Sequence, residues 1–344
     1  PLLAVADRIL ERDAEAVISV LGTSEGLESR LVPQRGYELV VVPKLPFPRR
    51  PGGAALRFPR EFSRSVAVIR GIIRDREIDV VVGFGGYVSA PAYVAARREH
   101  VPLAIHEANA KPGIANRLGS RLSRYVGVAF RGTRLPHARF VGMPLRREIE
   151  HLDRRATRGE AIAFFGLDEK RPTLLVTGGS QGAQHLNETV IEAAVSIIGA
   201  GWQIVHIAGE RFGARETELA HYHPLAYCDR MELAFAAADL ALARAGSATV
   251  SELTALAVPA VYVPLAFGNG EQRLNAAEAV RAGAARLVDN ATFTPEWVAD
   301  ALVPLLDDRA GLAEMSARAA SIGVLDGAER TVELIGDALN GRVH

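Results

Sequence analysis

The chain has 344 residues, with 40 Lys plus Arg against 40 Asp plus Glu and 49% apolar residues. That length corresponds to roughly two domains, and the balanced charge excludes a global field for nucleic acid, so any basic patch must be local. The single cysteine, Cys228, excludes an internal disulfide, and no Cys/His cluster has zinc-ligand spacing, which fits a reducing compartment.

The chain opens on "PLLAVADRILERD", without Met or a signal-peptide pattern, and this stretch reads as an amphipathic helix with Pro near its first turn. Such a helix in an α/β protein follows a strand and a loop, so a further segment is expected upstream of Pro1. Strands are expected at 16–22, 37–43, 79–85, 102–108 and 124–130, and a second set at 173–179, 202–209, 225–229, 240–246 and 259–265. These runs are apolar almost residue by residue, as parallel strands covered on both faces are, so the predicted class is α/β, doubly wound. The most apolar stretches, such as Ala234–Ala243, are short and broken by Asp239 and Arg244, which excludes a membrane-spanning helix there. A charged connector and helix, "RREIEHLDRRATRGEA", separates the two sets between Pro144 and Pro172. Each half repeats a strand, a Gly-Gly turn and a helix: "VVVGFGGYVSAPAYVAA" and "TLLVTGGSQGAQHLN". A cleft between two such domains is the default ligand site.

The turn at Gly178, Gly179 and Gly182 points backbone N–H groups and a helix dipole at an anion. Its G-G-x-x-G spacing departs from the dinucleotide fingerprint, and no Lys-Ser/Thr follows for a triphosphate. A tight turn without a ligand is the plain alternative. Two companions favour a ligand. In "RAGSATVSE" (244–252), Ser247 and Thr249 precede Glu252, whose carboxylate could accept two ribose hydroxyls, or could simply be an acid favoured by the helix start. In "GNGEQRLNAAEAV" (268–280), Glu271, Gln272 and Asn275 open a third helix. Three polar helix starts at strand ends suggest a nucleotide-sugar pocket. No Asp-x-Asp pair occurs, so no metal cofactor is expected, and helix dipoles with Arg would hold the diphosphate.

Together, "GGSQGAQHLN", "RAGSATVSE", "GNGEQRLNA", "GFGGYVSAPAYVAA" and "HEANAKPGIANR" resemble the motif set of glycosyltransferase family 28, the MurG family of peptidoglycan synthesis, in family order over nearly the whole chain. The resemblance implies the GT-B architecture, two Rossmann-like domains facing across a cleft. Residues 1–146, joined by the C-terminal helix 325–344, would bind the membrane acceptor, and 147–324 would bind UDP-N-acetylglucosamine. It implies that Ser180, Gln181 and Arg146 hold diphosphate and that the backbone at Cys228 meets uracil, a position where a small buried hydrophobe would serve equally. Ser247, Ala248, Thr249, Val250, Ser251 and Glu252 would line the ribose and phosphates, and Gln272 the sugar hydroxyls. Asn109 would reach the donor sugar, and Gly85, Gly86 and Tyr87 would lie on the acceptor side. Glu271 stands where relatives carry a second Gln, and Met143 where they carry Asn. The family's first strand and a glycine-rich loop ending in His fall upstream of Pro1; that His is the expected general base, with His106 and Glu107 as weaker candidates or as a positioning pair.

The implied reaction is an inverting displacement: the C4 hydroxyl of the N-acetylmuramic acid of lipid I attacks the anomeric carbon of UDP-N-acetylglucosamine, giving lipid II. The stretch 43–64 interleaves Phe47, Phe58 and Phe62 with Lys44, Arg49, Arg50, Arg57, Arg60 and Arg64, a composition suited to an anionic membrane surface or to a solvated proline-rich loop. A peripheral enzyme on the cytoplasmic face of the bacterial membrane follows from the resemblance. Another UDP-sugar enzyme, whether a transferase with a different acceptor or an epimerase, and a non-catalytic relative without the first loop are the alternatives.

Overall fold

The computed structural model describes residues 1–26, 28–45, 47–48, 53–179, 182–213, 218–265 and 270–341. The chain forms two compact units, Pro1–Arg146 with Asp326–His344, and Arg147–Leu325.

The first unit begins with helix Leu2–Arg12 and holds strands β1 (Ser19–Gly22), β2 (Glu38–Val41), β3 (Val81–Gly83), β4 (Leu103–Glu107), β5 (Tyr125–Val128) and β6 (Ala138–Phe140). Every pairing is parallel: β1 with β2 in one sheet, and β3-β4-β5-β6 in a second. Leu21 of β1 and Val81 of β3 pack on the same cluster, built from Val42, Val66, Ile69, Ile73 and the small residues of helix Ser89–Glu99. The last helix, Gly327–Leu339, closes this unit by setting Val332, Ile335 and Ala338 against Val5 and Ala104. Its entry requires glycine, because a Cβ on Gly327 would lie 2.2 Å from the Met143 carbonyl oxygen.

The second unit holds β7 (Thr173–Thr177), β8 (Gln203–Ile207), β9 (Tyr222–Leu225), β10 (Leu240–Ala243), β11 (Ala260–Tyr262) and β12 (Ala285–Leu287) in one parallel sheet of order β12-β11-β10-β7-β8-β9. All residues of β7, β8, β10 and β11 are buried, which is why these strands read as largely apolar runs. Polar residues inside the sheet are paired. Gln203, fully buried, accepts from the Asp168 N–H at 2.8 Å and donates to the carbonyls of Asp168 and Arg171. Helix Arg154–Phe165 starts at Asp153, whose carboxylate accepts from the N–H groups of Arg155 and Ala156, and ends at Gly166 in the left-handed region. Arg154 and Arg158 then fasten it by donating to the last carbonyls of the helix Met231–Ala237 and of its neighbour, at Phe235, Ala237, Ala238 and Leu256.

Three expectations change. The strand expected at 225–229 is β9, three residues earlier and ending at Leu225. The short edge strands β6 and β12 carry no apolar run and were not anticipated. Of the stretch 43–64, residues from Gly53 onward belong to a helix that continues to Asp75.

Candidate functional site

In the second unit the chain runs outward from β7 through β8 to β9, and outward on the other side from β10 through β11 to β12. The reversal lies between β7 and β10, and ligands of doubly wound sheets bind at the carboxyl ends of the strands at such a point. Two predicted loops sit there: 178–183 after β7 and 244–246 after β10. The first depends on its glycines. Gly179 and Gly182 have φ of 83° and 75°, and a Cβ on Gly182 would lie 2.6 Å from the Ala208 carbonyl oxygen. Ser180 and Gln181 lie outside the described residues.

Helix Gln184–Gly199 follows the first loop and helix Ser247–Ala255 the second. Among the described residues neither N-terminus has a side-chain cap, and neither first turn carries an acid. Their leading N–H groups are the kind that a bound anion satisfies. Ser247, Thr249, Ser251 and Glu252 are half-buried and Ala248 is exposed, whereas Val250 is core and can offer only its backbone. Glu252 is in the second turn, so it is not a first-turn acid placed by the dipole.

A buried polar chain ties the first turn to β8. Asn187 donates from Nδ2 to the Ala208 carbonyl at 2.8 Å, the carbonyl on which Gly182 rests. Its Oδ1 therefore accepts from Nε2–H of His206 at 3.0 Å, and His206 Nδ1 accepts from the Tyr222 hydroxyl at 2.6 Å. Burial pushes the His206 pKa down to about 4, so the ring is neutral and this tautomer is fully used. Sequence reasoning missed this tie, together with Arg244 and Tyr227. Tyr227 is 46% exposed beside Cys228, which is buried and whose thiol pKa is raised by that burial. Tyr227 falls inside the strand expected at 225–229, and only the observed end of β9 at Leu225 leaves it in the following loop.

The third helix start, Glu271–Ala282, is held rather than open. Gln272 Oε1 accepts from the Leu265 N–H at 2.8 Å, and buried Asn275 donates from Nδ2 to the Ala245 carbonyl at 3.3 Å. Gln272 thus keeps its NH₂ for another partner, while Asn275 is a tie between the helix and the β10 turn. Arg244, 8% exposed, donates from Nη1 to the carbonyls of Val263 (2.9 Å) and Pro264 (3.1 Å) and to Asn290 Oδ1 (2.7 Å).

In the first unit, "HEAN" ends β4. His106 is fully buried, with Nε2 2.9 Å from the Gly142 carbonyl oxygen and a pKa pushed down to about 4 by burial. Glu107 is 3% exposed; Oε1 accepts from the Asn109 N–H at 2.9 Å, and Oε2 from the Gly113 N–H at 2.9 Å and Asn116 Nδ2 at 3.0 Å. Glu107 anchors the loop that carries Asn109, and His106 ties the end of β4 to the Gly142 carbonyl. Asn116 accepts from the Tyr93 hydroxyl at 2.7 Å, which in turn meets the Gly85 N–H at 3.4 Å. Gly85 and Gly86 have φ of 84° and 97°, and they present Tyr87, 44% exposed, with the Lys44 ammonium 6.0 Å from its ring centre. Asn109 and Arg146 are half-buried.

Arg49 and Arg50 lie outside the described residues. Phe47, Phe58 and Phe62 stack in sequence at 5.3 and 5.8 Å, and Phe47 and Phe62 lean on the cluster around Tyr93. The aromatic rings therefore face partly inward. Leu56, 84% exposed, and Arg57, Arg60 and Arg64 form the outer face of that helix. Among the described residues no helix is long and apolar enough to cross a membrane, and no group of three or more His, Cys, Asp or Glu could hold a metal ion.

Two units of parallel sheet covered by helices, one with uncapped helix starts at its switch point, define the GT-B fold. Residues 1–128 match the glycosyltransferase family 28 N-terminal domain, and residues 173–331 match the glycosyltransferase family 28 C-terminal domain. The UDP-N-acetylglucosamine–N-acetylmuramyl-(pentapeptide) pyrophosphoryl-undecaprenol N-acetylglucosamine transferase of Leifsonia xyli subsp. xyli is 61% identical over 340 residues, 99% of this chain and 95% of that protein. The transferase of the same name from Clavibacter sepedonicus is 57% identical over 99% of this chain and 94% of its own length. The crystal structure of Acinetobacter baumannii MurG superposes with a TM-score of 0.80 at 28% identity, covering 98% of this chain and 95% of that one. The chain belongs to the MurG family, glycosyltransferase family 28.

Proposed function

We propose that the protein transfers N-acetylglucosamine from UDP-N-acetylglucosamine to the C4 hydroxyl of the N-acetylmuramic acid of lipid I, forming lipid II. The observation that carries the chemistry is the pair of uncapped helix N-termini, Gln184–Gly199 and Ser247–Ala255, at the switch point of the second sheet. Preorganised N–H donors stabilise the negative charge that develops on departing UDP. Family membership supplies the sugar and the acceptor.

On this reading Ser180, Gln181 and Arg146 hold the diphosphate and Glu252 the ribose hydroxyls. The backbone at Cys228 reads uracil with Tyr227 packed beside it, and the NH₂ of Gln272 and the side chain of Asn109 meet the sugar. Positioning two substrates supplies much of the rate, and a base must take the C4 hydroxyl proton. His106 and Glu107 are positioning residues, so the base is assigned to the His of the family's glycine-rich loop. A parallel strand between the free edges of β1 and β3 would give the first unit the strand order of the second, which supports placing that strand and loop there.

The acceptor carries a polyprenyl chain, and Leu56 with Arg57, Arg60 and Arg64 suits docking to an anionic bilayer on the cytoplasmic face. The deciding experiment incubates the protein with UDP-N-acetylglucosamine, with and without lipid I. UDP release that depends on lipid I is expected. An epimerised nucleotide-sugar without lipid I would contradict the proposal.

A further inference from the structure

Arg244 is a buried cation whose hydrogen-bond acceptors are all neutral. Its Nη1 is shared among the carbonyls of Val263 and Pro264 and the amide oxygen of Asn290, and among the described residues its buried Nε meets no acceptor. Burial pulls its pKa down with no carboxylate acting in the opposite direction. Removing a guanidinium from water costs several kcal/mol unless an opposite charge compensates. Two residues later Gly246 opens helix Ser247–Ala255, again with no side-chain cap and no first-turn acid. A helix start disfavours a nearby cation, and here a helix start after β10 and a guanidinium held at the end of β11 occupy the carboxyl ends of neighbouring strands, beside the switch point.

We infer that Arg244 is a positioning residue whose charge is balanced by the diphosphate of the bound UDP-sugar. The inference rests on the donor reading above. The side chain has two duties. Its Nη1 bonds fix the carboxyl end of β11 and the turn after β12, at the root of the loop that Gln272 holds at Leu265. Its charge adds to the N-terminal fields where leaving-group charge develops, without requiring contact. Lys would keep the charge and lose the fork of bonds; Gln would keep some hydrogen bonding and lose the charge.

The test is calorimetric titration of the full chain, Arg244→Gln and Arg244→Lys with uridine and with UDP, at low and high salt. Uridine reports folding and the base pocket; the UDP-over-uridine ratio reports the charge. In Arg244→Gln that ratio is expected to fall by about tenfold or more, with uridine affinity held within about twofold. Arg244→Lys should keep most of the ratio, and added salt should lower the ratio less in Arg244→Gln than in the unsubstituted and Lys proteins. An unchanged ratio in Arg244→Gln overturns the inference while leaving the donor reading intact. If the Gln variant does not fold, a ratio lost in Arg244→Lys overturns it equally, as does a parallel loss of uridine and UDP binding in both variants. An unsubstituted protein that binds UDP no better than uridine removes the donor reading, and the inference with it.

Discussion

Glu107 and Asn116 share a buried hydrogen bond of 3.0 Å, and Asn116 passes it on by accepting the Tyr93 hydroxyl at 2.7 Å. This links the end of β4, the loop of Asn109 and the turn at Gly85 through three side chains that are all at least 97% buried. A carboxylate that accepts two backbone N–H groups and the buried Asn116 amide is fixing backbone, and its loss leaves those donors unmatched. In Glu107→Gln, an NH₂ group must face one of those donors. A stability loss of roughly 2 kcal/mol is expected, with lower kcat/KM and an unaltered acid limb in its pH profile. Loss of the acid limb with unchanged thermal stability would instead make Glu107 the base.

His106 and His206 are both pushed down to about 4 from the ordinary 6.5, and burial is the leading cause at each. Below 6.5 the unfolded chain binds protons that the folded chain refuses. The stability these groups contribute is therefore complete above pH 6.5 and is lost as pH falls toward 4, to a limit of the order of 3 kcal/mol per site. Urea unfolding between pH 7 and 4.5 should show the decline, and the variant His106→Gln with His206→Gln should flatten it. A slope unaffected by the double substitution would contradict the assignment.

The outer face of helix Gly53–Asp75 carries Leu56, Arg57, Arg60 and Arg64. Vesicles rich in anionic lipid should retain the protein at low salt and release it at high salt. Each cation contributes about 1 kcal/mol at such a surface, so replacing all three arginines by Gln should weaken partitioning by roughly a hundredfold. Equal retention of the triple variant, or no retention of the parent at low salt, would sink this surface as the docking face.

The parts of the fold legible in the sequence are those governed by short-range pattern. Buried strands such as Leu174–Val176 show as apolar runs, and the turn at Gly178–Gly182 shows because backbone approach there admits only glycine. Edge strands β6 and β12 escaped because they are three residues long and only partly buried. β9 was displaced because "YHPL" alternates polar with apolar residues, while the apolar signal resumes after it. The buried polar ties were illegible for a different reason. Asn187 meets His206 nineteen positions away, and Arg244 meets Asn290 forty-six away. Each residue alone reads as a surface polar group, and only the folded sheet supplies its partner.

Transfer of the sugar is tested most directly by following labelled N-acetylglucosamine from its UDP donor onto lipid I with the protein. A lipid-linked disaccharide with a new β-1,4 bond is expected, formed with stoichiometric release of UDP. Folded protein that binds UDP-N-acetylglucosamine but yields no lipid-linked disaccharide from lipid I would contradict it.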